Sequence, residues 1–75
     1  SETYFRRLFK RVYKESASSY RSRLRIGKAC DMLPSGMYTV TEVAEVCGYE
    51  DPAYFSRAFK KIMGKSPSRY KTANN

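Results

Sequence analysis

Displaced by 50 positions, the chain matches itself. Residues 1–21, SETYFRRLFKRVYKESASSYR, align with residues 51–71, DPAYFSRAFKKIMGKSPSRYK, and eight of the 21 paired positions are identical, where unrelated stretches would share about one. The identities are Tyr4/Tyr54, Phe5/Phe55, Arg7/Arg57, Phe9/Phe59, Lys10/Lys60, Ser16/Ser66, Ser18/Ser68 and Tyr20/Tyr70, and Arg11/Lys61, Val12/Ile62 and Arg21/Lys71 are alike in kind. The fold must therefore use one supersecondary unit twice, an arrangement suited to a ligand that is itself periodic. With 75 residues in all, a domain buries only about 60% of the surface its unfolded chain exposes. That leaves little for a deep substrate cavity.

Each copy opens with an amphipathic helix. Phe5, Leu8, Phe9 and Val12 recur at helical spacing in the first copy, and Phe55, Ala58, Phe59 and Ile62 in the second; the opposite sides carry Arg6, Arg7, Lys10, Arg11 and Ser56, Arg57, Lys60, Lys61. Asp51-Pro52 is a helix start, because the carboxylate accepts from the first free amides and proline there loses no hydrogen bond. Gly64 is a stop, since it tolerates the left-handed turn that closes a helix. Ser66-Pro67 then opens a short last helix around Tyr70. Between the copies, residues 17–33 read as a longer helix whose apolar residues, Tyr20, Leu24, Ile26, Ala29, Cys30, Met32 and Leu33, lie in two stripes and so must pack on both sides. Pro34-Ser35-Gly36 ends it. Thr39 and Glu42 have capping-box spacing, and Val40, Val43, Ala44, Val46 and Cys47 give a short helix over 40–47 its apolar surface. Gly48 breaks that helix just ahead of Asp51.

A short helix, a glycine turn and a second helix with one greasy and one basic face is the pattern of a helix-turn-helix, whose second helix enters the DNA major groove. The first copy keeps only that second helix and the segment after it. Its partner helix is expected just upstream of Ser1, so the chain reads as a truncated piece of a larger domain.

Charge supports a polyanionic ligand. Lys and Arg total 15 against seven Asp and Glu, a net +8, and the charge is segregated. Residues 1–28 hold nine bases and two acids, residues 29–52 five acids and no base, and residues 53–75 six bases and no acid. Two basic blocks around an acidic one suggest two contact surfaces. With no histidine in the chain, histidine catalysis and histidine-containing metal sites are excluded. Cys30 and Cys47 lack CxxC spacing and read as reduced core thiols. No apolar run has the roughly 20 residues a membrane span needs, so a soluble cytoplasmic protein is expected, associated with the nucleoid.

The runs YFRRLFK, RIGKACDML and above all TVTEVAEVCGYEDPAYFSRAFKKIMGKSPSRYK resemble the C-terminal DNA-binding domain of the AraC/XylS family of bacterial transcription regulators. The resemblance covers the chain apart from Thr72-Ala73-Asn74-Asn75. It implies an all-α fold of two homeodomain-like helix-turn-helix units joined by a linker helix, bound to two successive major-groove segments on one face of DNA. Residues 1–16 would hold the recognition helix of an incomplete first unit, 17–36 the linker helix, and 37–75 a complete second unit. A 17-residue linker is about 25 Å long at ~1.5 Å per residue, compatible with the ~34 Å between successive groove faces.

By this resemblance the base readers are Thr3, Arg6, Arg7 and Lys10 in the first helix and Pro52, Ala53, Ser56, Arg57 and Lys60 in the second. The arginines suit a guanine edge, while Ala53 and Thr3 suit a thymine methyl. Pro52-Ala53 offers few donors, which leaves Arg57 as the main reader of the second unit. Phosphate anchors are expected at Arg11, Lys61, Lys65 and Arg69 and at the helix starts near Thr39 and Ser66. Lys14, Arg21, Arg23, Arg25 and Lys28 add to the field. The helical register turns the phenylalanines inward, against a role in base stacking. The competing class is a basic helical module that lies on an acidic protein or an anionic membrane surface. No RNA-recognition signature and no catalytic constellation is present. Duplex DNA is thus the expected partner, with RNA polymerase a further one, and no cofactor, metal or membrane is expected. The uncovered face of residues 5–12 is expected to promote self-association of this piece.

Overall fold

A computed structural model describes residues 2–73, so the chain ends of the expected organisation, Ser1 and Asn74-Asn75, lie outside the described residues. Five helices follow in order, α1 Glu2–Tyr13, α2 Ala17–Met32, α3 Val40–Val46, α4 Pro52–Met63 and α5 Pro67–Ala73, with a 3-10 turn Leu33–Ser35 closing α2. No strand occurs among the described residues, so the class is all-α.

The helix ends follow the local chemistry. Thr39 Oγ1 accepts from Glu42 N–H at 3.0 Å while Glu42 Oε1 accepts from Thr39 N–H at 2.8 Å, a complete capping box. Asp51 Oδ1 accepts from Ala53 N–H at 2.9 Å ahead of Pro52. Gly64 ends α4 in the left-handed region at φ 85°. The counterpart of Gly64 in the first copy, Lys14, takes the same conformation at φ 65°.

The core is built from residues 26–59, with α1 left outside it. Ile26, Ala29 and Leu33 from α2 and its closing turn meet Val43, Ala44 and Cys47 of α3, Tyr49 of the turn, and Phe55 and Phe59 of α4, all buried. Each fully buried phenylalanine contributes about 2–3 kcal/mol. Tyr70 of α5 closes the far side, its ring edge-on to Phe59 at 5.4 Å. The equivalent ring in the first copy, Tyr20, sits 5.4 Å from Phe9. There the likeness ends, because α1 contributes no buried residue.

Three apolar expectations change accordingly. Val46, placed on the packing side of α3, is 51% exposed, and Leu24, placed on the second stripe of α2, is 63% exposed. Ile62, on the apolar side of α4, is 39% exposed. Periodicity marks a face as apolar, and burial requires a neighbour opposite it. The buried stripe of α2 and its closing turn, Ile26, Ala29 and Leu33, has α3 and α4 opposite; Leu24, one turn from Tyr20, has no such cover.

Candidate nucleic-acid interface

In α4 the buried pair Phe55 and Phe59 fixes the helix rotation, and the residues that oppose them at about 100° per residue are Ala53, Arg57 and Lys61, with Lys60 beside them. All four are exposed. Ser56 is half-buried and stands at the edge of this face, while Pro52 occupies the first helical position. The Arg57 guanidinium lies 5.9 Å from the ring centre of the exposed Tyr54. That contact holds a flexible side chain near one geometry.

The turn ahead of α4 sets its angle. Gly48 has φ 95°, which an L side chain rarely adopts, and a Cβ there would come within 3.2 Å of Arg25 Nε. Arg25 in turn lies over the Tyr49 ring at 5.5 Å. Tyr49 packs against Phe55 at 5.3 Å and Tyr54 at 6.0 Å, so α2, the turn and the start of α4 form one packed corner. The buried Tyr49 hydroxyl has no hydrogen-bond partner among the described residues.

In α1 the matching outward positions are Thr3, Arg7 and Lys10, all exposed. Arg6 is exposed too, and its Nη2 donates to Glu2 Oε1 at 2.7 Å. Both partners face water, so the pair is weak and Arg6 can exchange it for another acceptor. Phe9 is half-buried among Phe5, Tyr13 and Tyr20, whereas Phe5, Leu8 and Val12 are exposed.

The expected phosphate anchors divide into two groups. Arg11 and Lys61 lie on the exposed sides of α1 and α4. Thr39, Lys65, Ser66 and Arg69 lie at the far end of the fold, where α5 packs on the turn that closes α2. Thr39 and Ser66 have their side-chain oxygens engaged in caps, Ser66 Oγ accepting from Arg69 N–H at 3.3 Å, and Glu42 already occupies the amide of Thr39. Lys65 approaches the Tyr70 ring at 5.8 Å.

Sequence reasoning passed over the start of α2. Ser16, Ser18, Ser19 and Ser22 cluster there; the signal was four hydroxyls within two turns beside Arg23. Ser16 Oγ caps the helix by accepting from Ser19 N–H at 3.1 Å. Glu15 accepts from Arg23 Nε at 3.1 Å and from Ser19 Oγ at 3.2 Å. The bond from Arg23 holds the Glu15 carboxyl below its ordinary range, so this acid stays ionised and paired. Elsewhere, burial pushes the Cys47 thiol up, and a hydrogen bond with Cys30 raises the Tyr70 phenol.

A family profile described as "Helix-turn-helix domain" matches residues 1–73. The MmsAB operon regulatory protein of Pseudomonas aeruginosa is 37% identical over 71 residues, which span 95% of this chain and 23% of that protein. The HTH-type transcriptional activator RhaR of Pectobacterium atrosepticum is 40% identical over 63 residues, 84% of this chain and 22% of its own. The chain thus spans less than a quarter of these relatives' length. Among solved structures, the DNA-binding domain of AdpA in complex with a target DNA superposes with a TM-score of 0.90 at 29% identity, over 97% of this chain and 66% of that one. The C-terminal domain of the two-component response regulator yesN from Fusobacterium nucleatum does so with a TM-score of 0.90 at 31% identity, over 95% of this chain and 69% of that one.

Proposed function

Because this chain belongs to the AraC/XylS type of helix-turn-helix domain, we propose that it binds double-stranded DNA sequence-specifically, as the DNA-contacting part of a bacterial transcription regulator. The carrying observation is the duplication: two copies of one amphipathic helix, α1 and α4, each with arginine and lysine opposite its phenylalanines. The longest extent of the fold, 42 Å, accommodates two helices one duplex turn of ~34 Å apart. Residues 1–16 supply the recognition helix of a first unit, 17–36 the linker and 37–75 a second unit.

In this reading Thr3, Arg6, Arg7 and Lys10 face the bases of one major-groove segment, and Pro52, Ala53, Ser56, Arg57 and Lys60 those of the next. Arg11, Thr39, Lys61, Lys65, Ser66 and Arg69 hold phosphates. Base-edge contacts carry sequence preference, and phosphate contacts fix register and supply most of the affinity. The protein works in the cytoplasm, on the nucleoid, through RNA polymerase and without catalysis of its own. The exposed side chains of Phe5, Leu8 and Val12 support self-association of this chain through residues 5–12.

Selection from a random duplex pool with the full chain tests the proposal. Enrichment of two sequence blocks about one duplex turn apart is expected. A pool that stays random, or anionic vesicles bound as tightly as the enriched duplex, refutes it.

A further inference from the structure

We propose that the start of α2 and the facing side of α4 form a seat for the phosphodiester backbone that runs between the two major-groove segments. This rests on the DNA-binding reading above. It assigns a contact to Ser18, Ser19 and Ser22, which lie on neither recognition helix.

A cleft of about 620 Å³ separates the first two turns of α2 from α4. Ser18, Ser19 and Ser22 line one wall, and Tyr54, Arg57 and Lys61 line the other. A second cleft of about 460 Å³ is lined by Arg6, Arg7 and Lys10 of α1 together with Ser16 and Ser18, which line the first cleft too. The start of α2 is therefore a hydroxyl ridge between two cationic clefts, one with Arg57 and Lys61 of α4 and the Glu15-paired Arg23 of α2, the other with Arg6, Arg7 and Lys10 of α1.

The charge of the larger cleft favours an anion. Glu15, the acid nearest to it in sequence, is consumed by Arg23 and Ser19. Arg57 and Lys61 have no carboxylate partner among the described residues, so their charge is available to a ligand. Arg57 stands at the lip, where cleft and outward face meet, and Lys61 lies one turn further along the wall.

The side chains favour a backbone over a base. Serine hydroxyls are short, and these sit on α2, which lies in the chain between α1 and α4 and carries none of the outward positions 3, 7, 10 and 53, 57, 60. They meet only what comes close between the helices. When two helices occupy successive major-groove segments on one face of a duplex, the surface that faces the protein between them is the minor groove and the phosphate strands along it. Hydroxyl donors toward phosphate fix position without reading sequence. The ridge thereby sets how the two helices are phased on the duplex.

Two measurements on the full chain and the duplex enriched from the random pool decide the matter. In the first, neutral methylphosphonates replace the phosphates between the two enriched blocks. Binding should weaken about tenfold, as expected when a hydrogen bond to a charged group is lost. In the second, Ser18→Glu places a carboxylate in the first turn of α2, where it suits the helix, so the melting temperature should hold or rise. Affinity should fall about tenfold on the enriched and on a scrambled duplex alike, and central methylphosphonates should then cost the variant little more. Affinity unchanged within about twofold by the central methylphosphonates overturns the proposal, and because that arm uses the unaltered chain it decides whatever the variant does. A chain that enriches no duplex fails the DNA-binding reading itself. One that enriches a two-block site yet ignores the central phosphates fails this inference alone.

Discussion

Positions 14 and 64 are equivalent in the repeat, and both backbones turn left-handed there, at φ 65° for Lys14 and 85° for Gly64. Both close a helix the same way: Lys14 N–H donates to Lys10 O at 2.8 Å, and Gly64 N–H to Lys60 O at 2.8 Å. Glycine adopts this conformation freely, whereas an L side chain costs about 1–2 kcal/mol. A Cβ on Gly64 would meet nothing within 4 Å, so Gly64→Ala creates neither clash nor packing. Its cost is the backbone strain, less the ~0.4–1 kcal/mol that alanine saves by restricting the unfolded chain. Midpoint against midpoint, the net is about 0.8 kcal/mol, a drop in melting temperature of about 3–6 °C for a domain of this size. Lys14→Gly runs the other way, with Lys14→Ala as the control that removes the charge and keeps the strain. Because α1 buries no residue, the gain should appear locally, as slower amide exchange in α1, rather than in the global melt. Circular-dichroism melts read the first variant and hydrogen exchange the second pair. A Gly64→Ala melting temperature at or above wild type, or Lys14→Gly exchanging as fast as Lys14→Ala, would refute the reasoning.

Tyr49→Phe removes a buried hydroxyl that has no partner among the described residues and should stabilise the fold by about 1 kcal/mol in a denaturant titration; a loss of stability would show that the hydroxyl is satisfied in solution. Arg57→Ala should weaken binding to the enriched duplex by more than it weakens binding to random DNA, and equal losses would count against base reading. If about six phosphates are neutralised, log K should fall with log salt at a slope near −5, and a slope near zero removes the electrostatic argument. Burial raises the Cys47 thiol in the folded state above its ordinary 9.0, so its contribution to stability is present below that value and lost as pH rises through the folded pKa. Melting temperature should therefore fall above about pH 9, and fall less steeply in Cys47→Ala. Parallel declines in the two proteins would contradict this.

Helix ends were legible because each is decided by atoms adjacent in sequence. Thr39 with Glu42, Asp51 with Pro52, and Gly64 each satisfy or release backbone groups within one turn. Packing was legible only where both partners lie in the chain: Phe55 and Phe59 are covered by α3, whereas Phe5 of the identical motif is 55% exposed. The left-handed turn at Lys14 carried no residue signal, since lysine has no preference for it; the pairing with Gly64 in the repeat was the available clue. Arginines and lysines announced the outward faces of α1 and α4. The serines of α2 escaped notice because small hydroxyls mark no period, and their meaning depends on α4 lying across from them.

In the chain α2 joins α1 to the α3–α4 pair, and the Arg25–Tyr49–Gly48 corner fastens it to that pair. In such a connector, separation and azimuth are a single variable. Each residue inserted into α2 would carry α1 about 1.5 Å further away and swing it by about 100°. If α1 and α4 read one duplex as proposed, a one-residue insertion aims α1 away from it. Only a near-integral number of turns returns α1 to the same side, so on the proposed reading the spacing between its site and that of α4 can change only in coarse steps.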